Sequence, residues 1–293
     1  RKGIFILLSS KIKKLLKIPY FKLKNYLLLK EYGKKYEEKE ILENRYRVLK
    51  GTMYGYPDYD DAWLYYLSNN SSIVFDVGCH MGKSALLISN ANSLKLMVLI
   101  DPNPLSLSKA AENLIINNIV EKAMFISKAA WVKTGEKIKL WTMHGAFSGA
   151  SVNIDFTESG SITKNYFDVE TITLDEIAIN YNFNPDLIKI DVEGVESSVL
   201  MGATEIAKRG IAKFIIEVHS CENLSIIENT QLIINWCNKN DYSIFYLSNH
   251  EKLDNTDIIK HRGRFHVLLI PKSVDYPEGL NRIAQGSNIE DII

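Results

Sequence analysis

The sequence predicts an α/β fold built on a Rossmann-like, doubly wound and mostly parallel sheet of seven strands. Two observations predict it. From residue 73 onward, short apolar runs alternate with stretches of helical pattern, and the first run ends in a glycine turn that leads directly into a helix. Strands joined by helices form right-handed βαβ units, and such units build a parallel sheet. The hydrophobic content of 46% is ample for the core of such a sheet.

The strand candidates follow one another at 73–77, 95–100, 124–130, 187–192, 214–219, 242–247 and 265–270. Helices are predicted at 84–89, 105–117, 173–179, 197–208 and 230–238. The last two strands flank a polar loop and are expected to pair antiparallel at the sheet edge. Between residues 131 and 170, four glycines and short alternating runs predict an inserted hairpin or lid within one domain that covers residues 51–293.

The N-terminal residues 1–50 are predicted to form a basic helical arm. The first 30 residues carry nine Lys or Arg and no Asp or Glu, and lysines alternate there with apolar side chains in an amphipathic helical pattern that Pro19 breaks. Such a helix could make peripheral contact with an anionic membrane, and a solvated helix or a linker explains the pattern as well. The apolar run at 3–10 is too short to cross a bilayer, so we expect a cytoplasmic protein with membrane association as an alternative.

The overall charge and the cysteines exclude several classes of protein. Basic and acidic residues balance at 35 each, so the chain lacks the positive excess that is typical of nucleic-acid binding, and no nucleic-acid partner is expected. The three cysteines, Cys79, Cys221 and Cys237, contain no Cys-x-x-Cys pair. This pattern argues against a disulfide framework and against a zinc site, and it indicates a reducing compartment.

The glycine turn after the first strand is typical of a site for an adenosine-containing cofactor. Asp76 ends the strand, and Gly78 and Gly82 let the backbone approach a ligand closely. Three residues separate these glycines, whereas the first two glycines of a dinucleotide fingerprint are one residue apart, so a nicotinamide cofactor is disfavoured. His80 lies inside the turn, where it could stack on or bond the cofactor, although a loop histidine without a role fits equally well.

The second strand ends at Asp101, about 20 residues after the glycine turn, where an acidic side chain would accept both ribose hydroxyls. Asn103 follows between two prolines and is included among the cofactor-binding residues. In this arrangement Asp76, Gly78, Gly82 and Asp101 resemble the class I S-adenosylmethionine-dependent methyltransferases.

A second motif narrows the resemblance. Lys189 precedes the run Asp191-Val-Glu193-Gly194, Glu196 follows two residues later, and a Leu-x-Gly-Ala helix segment ends at Ala203. This motif closely resembles the FkbM-type methyltransferases, and the resemblance spans roughly residues 54 to 219. The resemblance implies S-adenosylmethionine as cofactor and O-methylation of hydroxyls on sugars, glycans or polyketide-like molecules. The chain departs from the family in having Cys79 and His80 where Ala-Asn is usual, and Asp101 where Glu is usual.

Methyl transfer to an alcohol requires that the hydroxyl lose a proton, so the site needs a general base or a metal. The candidate catalytic residues end two neighbouring strands of the predicted sheet: Asp191, Glu193, Glu217 and His219. His219 is the preferred base, because a reference pKa near 6.5 suits proton transfer at neutral pH. Asp191 and Glu193 would then orient substrate or cofactor. Alternatively, Asp191 and Glu217 could hold Mg²⁺.

The function predicted from these motifs is methyl transfer from S-adenosylmethionine to a hydroxyl of a sugar within a glycan or glycolipid. Two alternatives stay open: a polyketide-like or other small-molecule acceptor, and a non-catalytic module that keeps the cofactor pocket and binds a partner. The sequence makes no prediction of oligomeric state.

Overall fold

The computed structural model describes residues 33, 35–53, 58, 60–143, 148–151, 165–221, 223–261 and 263–292. The arm at 1–30 and the membrane contact predicted for it therefore lie outside the described residues. None of the helices in the described ranges has the length and hydropathy that a membrane span requires. None of the three cysteines forms a disulfide.

The strands are β1 (Tyr36–Ile41), β2 (Asn44–Leu49), β3 (Ile73–Val77), β4 (Leu96–Ile100), β5 (Ala123–Ile126), β6 (Ala129–Ala130), β7 (Lys137–Met143), β8 (Ser148–Ser151), β9 (Asn165–Ile172), β10 (Leu187–Ile190), β11 (Lys213–His219), β12 (Tyr242–Tyr246), β13 (Glu251–Lys252) and β14 (Arg264–Pro271). The α-helices are α1 (Asp61–Asn69), α2 (Lys83–Ile88), α3 (Pro104–Ile116), α4 (Leu174–Asn180), α5 (Glu196–Met201), α6 (Thr204–Lys208) and α7 (Ile226–Lys239).

The main sheet has eight described strands in the order β13-β12-β14-β11-β10-β3-β4-β5. The five strands from β11 to β5 are mutually parallel, and β14 lies antiparallel between β11 and β12. The predicted α/β fold with a mostly parallel sheet and an antiparallel edge is therefore confirmed. The predicted count of seven strands is one too low, because the edge strand β13 has only two residues, both exposed, and leaves no pattern in the sequence.

Helices cover both faces of this sheet, as a doubly wound fold requires. One apolar cluster joins the sheet to α4, α5, α6 and α7, and a second cluster joins it to α1, α2 and α3. The side chains of the central strands β3, β4 and β10 are almost entirely buried between these two layers. The carboxyl ends of the parallel strands therefore meet at one edge of a rigid platform.

The helical-arm prediction is wrong for residues 36–49, where β1 and β2 form an antiparallel hairpin. In β1 Glu38 and Glu40 are exposed while Glu37, Lys39 and Ile41 are less so, and in β2 the buried Tyr46 and Val48 flank the exposed Arg47. This alternation has the period of a strand. The hairpin is attached to α3, where the side chain of Asn113 accepts a hydrogen bond of 2.8 Å from the backbone N–H of Leu49.

A second, four-stranded sheet of order β6-β9-β7-β8 lies within the region for which an inserted hairpin is predicted. Strand β7 pairs antiparallel with β8 on one side and with β9 on the other. Strand β6 follows β5 after two residues and pairs parallel with β9. The insertion is thus placed beside the carboxyl end of β5.

Candidate active site

A cavity of about 510 Å³ opens at the carboxyl ends of the central strands. Of the residues predicted to bind the cofactor or act in catalysis, those that line it are Gly78, His80, Asp101, Asp191, Glu193 and Glu217. Asp76, Gly82, Asn103 and His219 do not line this cavity and lie behind or beside its wall. The order of the parallel strands brings these site residues together. Each of them stands at the carboxyl end of a strand or at the start of the helix that follows, and these ends lie at one edge of the sheet.

Gly78 is the point where the glycine turn packs onto the end of β10. Its φ of +81° lies in the left-handed region, and a Cβ built on it would sit 1.8 Å from the carbonyl oxygen of Asp191. Only glycine fits there. The N–H of Gly78 donates to the carbonyl of Ile100 at 2.8 Å, which holds the turn against the end of β4.

Asp101 is a buried carboxylate that lines the cavity. Its Oδ2 accepts the N–H of His80 at 2.9 Å, and its Oδ1 accepts the N–H of Asn103 at 2.8 Å. Burial raises the pKa of Asp101 to about 6, and the two N–H groups oppose that rise. A carboxylate oxygen can accept a second hydrogen bond, so both oxygens retain the capacity to accept hydroxyl donors.

Gly82 and Asn103, predicted to touch the cofactor, have structural roles. A Cβ on Gly82 would meet the Cβ of Ala110 at 3.0 Å, so this glycine allows α2 and α3 to pack closely. The side chain of Asn103 caps α3 by accepting the N–H of Leu105 at 3.1 Å. Helix packing explains the glycine at 82 and helix capping explains the asparagine at 103, in both cases without a ligand.

Asp76 is fully buried behind the cavity wall, and its predicted contact with the cofactor stays a prediction. Its Oδ2 accepts the hydroxyl of Ser84 at 2.6 Å, and its Oδ1 lies 3.9 Å from the Nζ of Lys189. Lys189 does line the cavity and donates to Asp191 at 3.2 Å. Burial by itself would lower the pKa of Lys189, but Asp191 and Asp76 raise it overall, so this lysine stays charged.

His219 is surrounded by three carboxylates. Its Nδ1 lies 3.2 Å from Oε1 of Glu196, and its Nε2 lies 3.5 Å from Glu217 and 3.8 Å from Glu193. Burial alone would lower the pKa of His219, but the bonds to Glu196 and Glu217 raise it to about 11. At neutral pH the ring is therefore an imidazolium with no lone pair to accept a proton. A charged ring is poorly suited to remove a proton, and the general-base role of His219 stays a prediction.

Glu217 lies at the centre of the charged cluster on the cavity wall. Its Oε1 is 3.1 Å from Arg264, and its Oε2 is 3.7 Å from Nε2 of His266, which in turn lies 3.2 Å from Asp60. The predicted Mg²⁺ ligands Asp191 and Glu217 lie together with His219, with one ligand atom of each within 4.8 Å of the others. Oxygen ligands of this kind suit Mg²⁺. However, Lys189 and Arg264 already neutralise the two carboxylates, so the metal stays a prediction.

Several residues that line the cavity are not among those predicted from the sequence. Asp58, Asp60 and Asp61 line the cavity from the start of α1, together with Lys83, which lies 3.0 Å from Asp58. Burial raises the pKa of Asp61 to about 6. The adjacent pair Asp60-Asp61 in front of an apolar run was the available signal. The second sheet adds an apolar wall, which consists of Ala129, Ala130, Trp131 and Leu140.

A doubly wound sheet with a glycine turn, an acidic second strand end and one cavity between them defines a Rossmann-like protein with a site for a nucleoside cofactor. The family described as Methyltransferase FkbM domain matches residues 76–244, more than half of the chain, and the chain belongs to this family. The resemblance to the FkbM-type methyltransferases is thereby confirmed.

Among solved structures, the chain is similar to a methyltransferase FkbM from Methylobacillus flagellatus, with 16% identity, a TM-score of 0.44 and coverage of 68% of this chain. The chain spans 44% of that protein's chain. It is also similar to TYW2 of M. jannaschii in complex with AdoMet, with 12% identity, a TM-score of 0.40 and coverage of 80% and 84% of the two chains. No curated protein sequence matches the chain.

Proposed function

We propose that this protein is an S-adenosylmethionine-dependent O-methyltransferase whose acceptor is a hydroxyl of a sugar in a glycan or glycolipid. The observation that carries the proposal is the cavity at the carboxyl ends of the central strands in a methyltransferase-family chain. Asp101 and the glycine turn lie on one side of that cavity, and Asp191, Glu193 and Glu217 lie on the other.

The cofactor side suits a nucleoside with a cationic end. Asp101 would accept the ribose hydroxyls, and His80, whose pKa is lowered by burial and by Lys109, would be a neutral ring beside them. When bound, S-adenosylmethionine supplies an electrophilic methyl group on a sulfonium. The acidic lining favours such positive charge. Its carboxylates outnumber its cations, with Asp58, Asp60, Asp61, Asp101, Asp191, Glu193 and Glu217 against Lys83, Lys189 and Arg264.

The acceptor side contains a better base than His219. Glu193 lines the cavity with its side chain 38% exposed, and within 4.0 Å it has one described cationic partner, His219 at 3.8 Å. Burial raises the pKa of Glu193, which increases its basicity. Asp191 and Glu217 are each paired with a closer cation, Lys189 at 3.2 Å and Arg264 at 3.1 Å. We therefore assign proton removal from the acceptor hydroxyl to Glu193.

A sugar suits this wall because carboxylates only accept hydrogen bonds when ionised and a sugar presents several hydroxyl donors. A phosphate backbone would meet like charge at the same place, which continues to disfavour a nucleic-acid acceptor.

Isothermal titration with S-adenosylhomocysteine, followed by transfer of a radiolabelled methyl group from S-adenosylmethionine to a panel of alkyl glycosides and hydroxylated macrolactones, tests the proposal. We expect cofactor-product binding and labelled glycosides. Absence of binding would overturn the methyltransferase assignment. Binding without transfer to any acceptor would favour the non-catalytic module, and transfer to macrolactones alone would favour the polyketide-like alternative.

The variant Asp101→Asn is expected to weaken S-adenosylhomocysteine binding by about 10- to 100-fold, since hydrogen bonds to a charged group contribute about 1.5–3 kcal/mol. In the wild-type protein the carboxyl group is ionised above its pKa of about 6, so affinity should fall as the pH is lowered through that value. The variant should lose this pH dependence. Titration calorimetry at several pH values measures both effects.

The control is Asp254→Asn, at a side chain that is 72% exposed, which should bind like wild type. Equal affinity of Asp101→Asn and wild type would contradict the ribose assignment. If the pH dependence persists in Asp101→Asn, Asp61, whose pKa is also about 6, would be its source instead.

The variant Glu193→Gln is expected to reduce turnover about 10²-fold or more, because the amide cannot take the acceptor proton. Affinity for S-adenosylhomocysteine should not change. Glu205→Gln, an exposed glutamate on α6, is the matched control and should keep full turnover. Undiminished turnover of Glu193→Gln on the identified glycoside would eliminate Glu193 as the base.

A further inference from the structure

Glu196 begins α5 behind the cavity, and both of its carboxylate oxygens are engaged although the residue has no exposed surface. Oε1 accepts the N–H of Gly194 at 2.8 Å and faces Nδ1 of His219 at 3.2 Å. Oε2 accepts the side-chain N–H of Asn229 at 2.6 Å. One buried carboxylate thus joins the loop after β10, the end of β11 and the helix α7.

Asn229 closes this arrangement. Besides Glu196, its amide nitrogen donates to the carbonyl of His219 at 3.0 Å, and its amide oxygen lies 3.3 Å from the N–H of Ser197. Asn229 is itself fully buried on α7. The pair Glu196 and Asn229, called the Glu196 clamp below, therefore holds the ring and the backbone of His219 together.

The clamp also controls the loop that presents Glu193. Glu193 and Gly194 have φ values of 57° and 105°, a backbone shape that needs external support. The bond from Gly194 to Glu196 supplies part of that support. The loop has no room to relax toward β11, since a Cβ on Gly194 would lie 2.7 Å from Cβ of Cys221.

We infer that Glu196, clamped by Asn229, is a positioning residue for methyl transfer: it holds His219 and the Glu193–Gly194 loop so that the carboxylates of Glu193 and Glu217 face the cavity. The inference rests on the proposed function. Glu196 touches neither the cavity nor a reacting atom. Its effect passes through the position of the His219 ring, which lies 3.8 Å from Glu193 and 3.5 Å from Glu217.

The test compares Glu196→Gln with Asn229→Ala in the full chain. Glu196→Gln removes a negative charge beside the His219 ring, so the ring should titrate at a clearly lower pH than in wild type. Asn229→Ala keeps that charge and removes the amide contacts, so the titration should stay near that of wild type. Nitrogen-15 NMR of labelled histidines measures this, with Glu205→Gln as control and His219→Gln to identify the signal.

On the glycoside that the acceptor panel identifies, both variants should lose turnover, Glu196→Gln about 10²-fold, with S-adenosylhomocysteine affinity unchanged. An unchanged His219 titration in Glu196→Gln together with unchanged turnover would overturn the inference. If Glu196→Gln does not fold, wild-type turnover in Asn229→Ala would overturn it, and lowered turnover at unchanged affinity would support it. If the wild-type protein binds no S-adenosylhomocysteine, the proposed function fails, while the titration still reports whether the clamp acts on His219.

Discussion

Replacing Gly78 with alanine is expected to destabilise the protein by roughly 2 to 5 kcal/mol and to abolish measurable S-adenosylhomocysteine binding. Two costs combine at this position. An alanine at φ +81° is strained, and its Cβ would overlap the carbonyl oxygen of Asp191 at 1.8 Å. Relief of that overlap must move either the glycine turn or the end of β10, and both form the cavity wall. Stability and cofactor affinity should therefore be lost together.

Gly135 is the matched control for this prediction. It has the same φ of +81°, but a Cβ built on it meets no atom within 4 Å. Gly135→Ala should lower the free energy of unfolding by about 1 kcal/mol, which is the conformational cost of a left-handed alanine, and should leave cofactor binding intact. Urea unfolding and titration calorimetry on both variants separate the steric cost from the conformational cost. Equal stability of the two variants would show that the contact with Asp191 contributes nothing.

The parts of the site that the sequence predicts well depend on local pattern. The glycine turn, the acidic end of β4 and the Asp-Val-Glu-Gly run each stand at a strand end, and parallel strands must end at the same edge. A short apolar run followed by a turn is therefore enough to bring Gly78, Asp101 and Asp191 to one cavity, without knowledge of any contact between them.

The parts that the sequence does not predict depend on contacts between distant residues. Burial lowers the pKa of His219, but the bonds to Glu196, 23 residues away in the chain, and to Glu217 raise it well above its reference value. Asp60 reaches the cavity because α1 contacts β10, which is distant in the chain, and the Asp60-Asp61 pair marks a polar helix start without revealing that neighbour. The hairpin at 36–49 was hidden because β1 has four consecutive charged residues between its two buried ends, and β2 is only six residues long.

Strand register is the clearest example of such distant information. Lys189 and Asp76 stand directly opposite each other where β10 pairs with β3, and a shift of one residue would point Lys189 to the other face. In the sequence, each of the two strands shows one charged residue, Lys189 or Asp76, within an apolar run and no partner for it. Only the pairing of β10 with β3 reveals that the charges of Lys189 and Asp76 compensate each other. Removal of either charge should therefore have a large effect on stability.

The variant Lys189→Met is expected to destabilise the protein by about 3–5 kcal/mol, the cost of removing one partner of a buried ion pair. Methionine fills similar space, but Asp76 then has only the hydroxyl of Ser84 at 2.6 Å to compensate its charge. Lys208→Met, at a lysine that is 62% exposed, is the matched control and should change stability by less than about 0.5 kcal/mol. Urea unfolding at neutral pH measures the difference.

The pH dependence of this loss identifies its cause. Burial already raises the pKa of Asp76, and loss of Lys189 should raise it further, because the lysine charge opposes that shift. A carboxyl group whose pKa is raised on folding favours the folded state below its unfolded pKa, and that contribution is lost as the pH rises through the folded value. The deficit of Lys189→Met should therefore shrink toward acid pH. Addition of Asp76→Asn should recover most of the deficit at neutral pH, whereas a deficit that persists in the double variant would assign the loss to packing instead of charge.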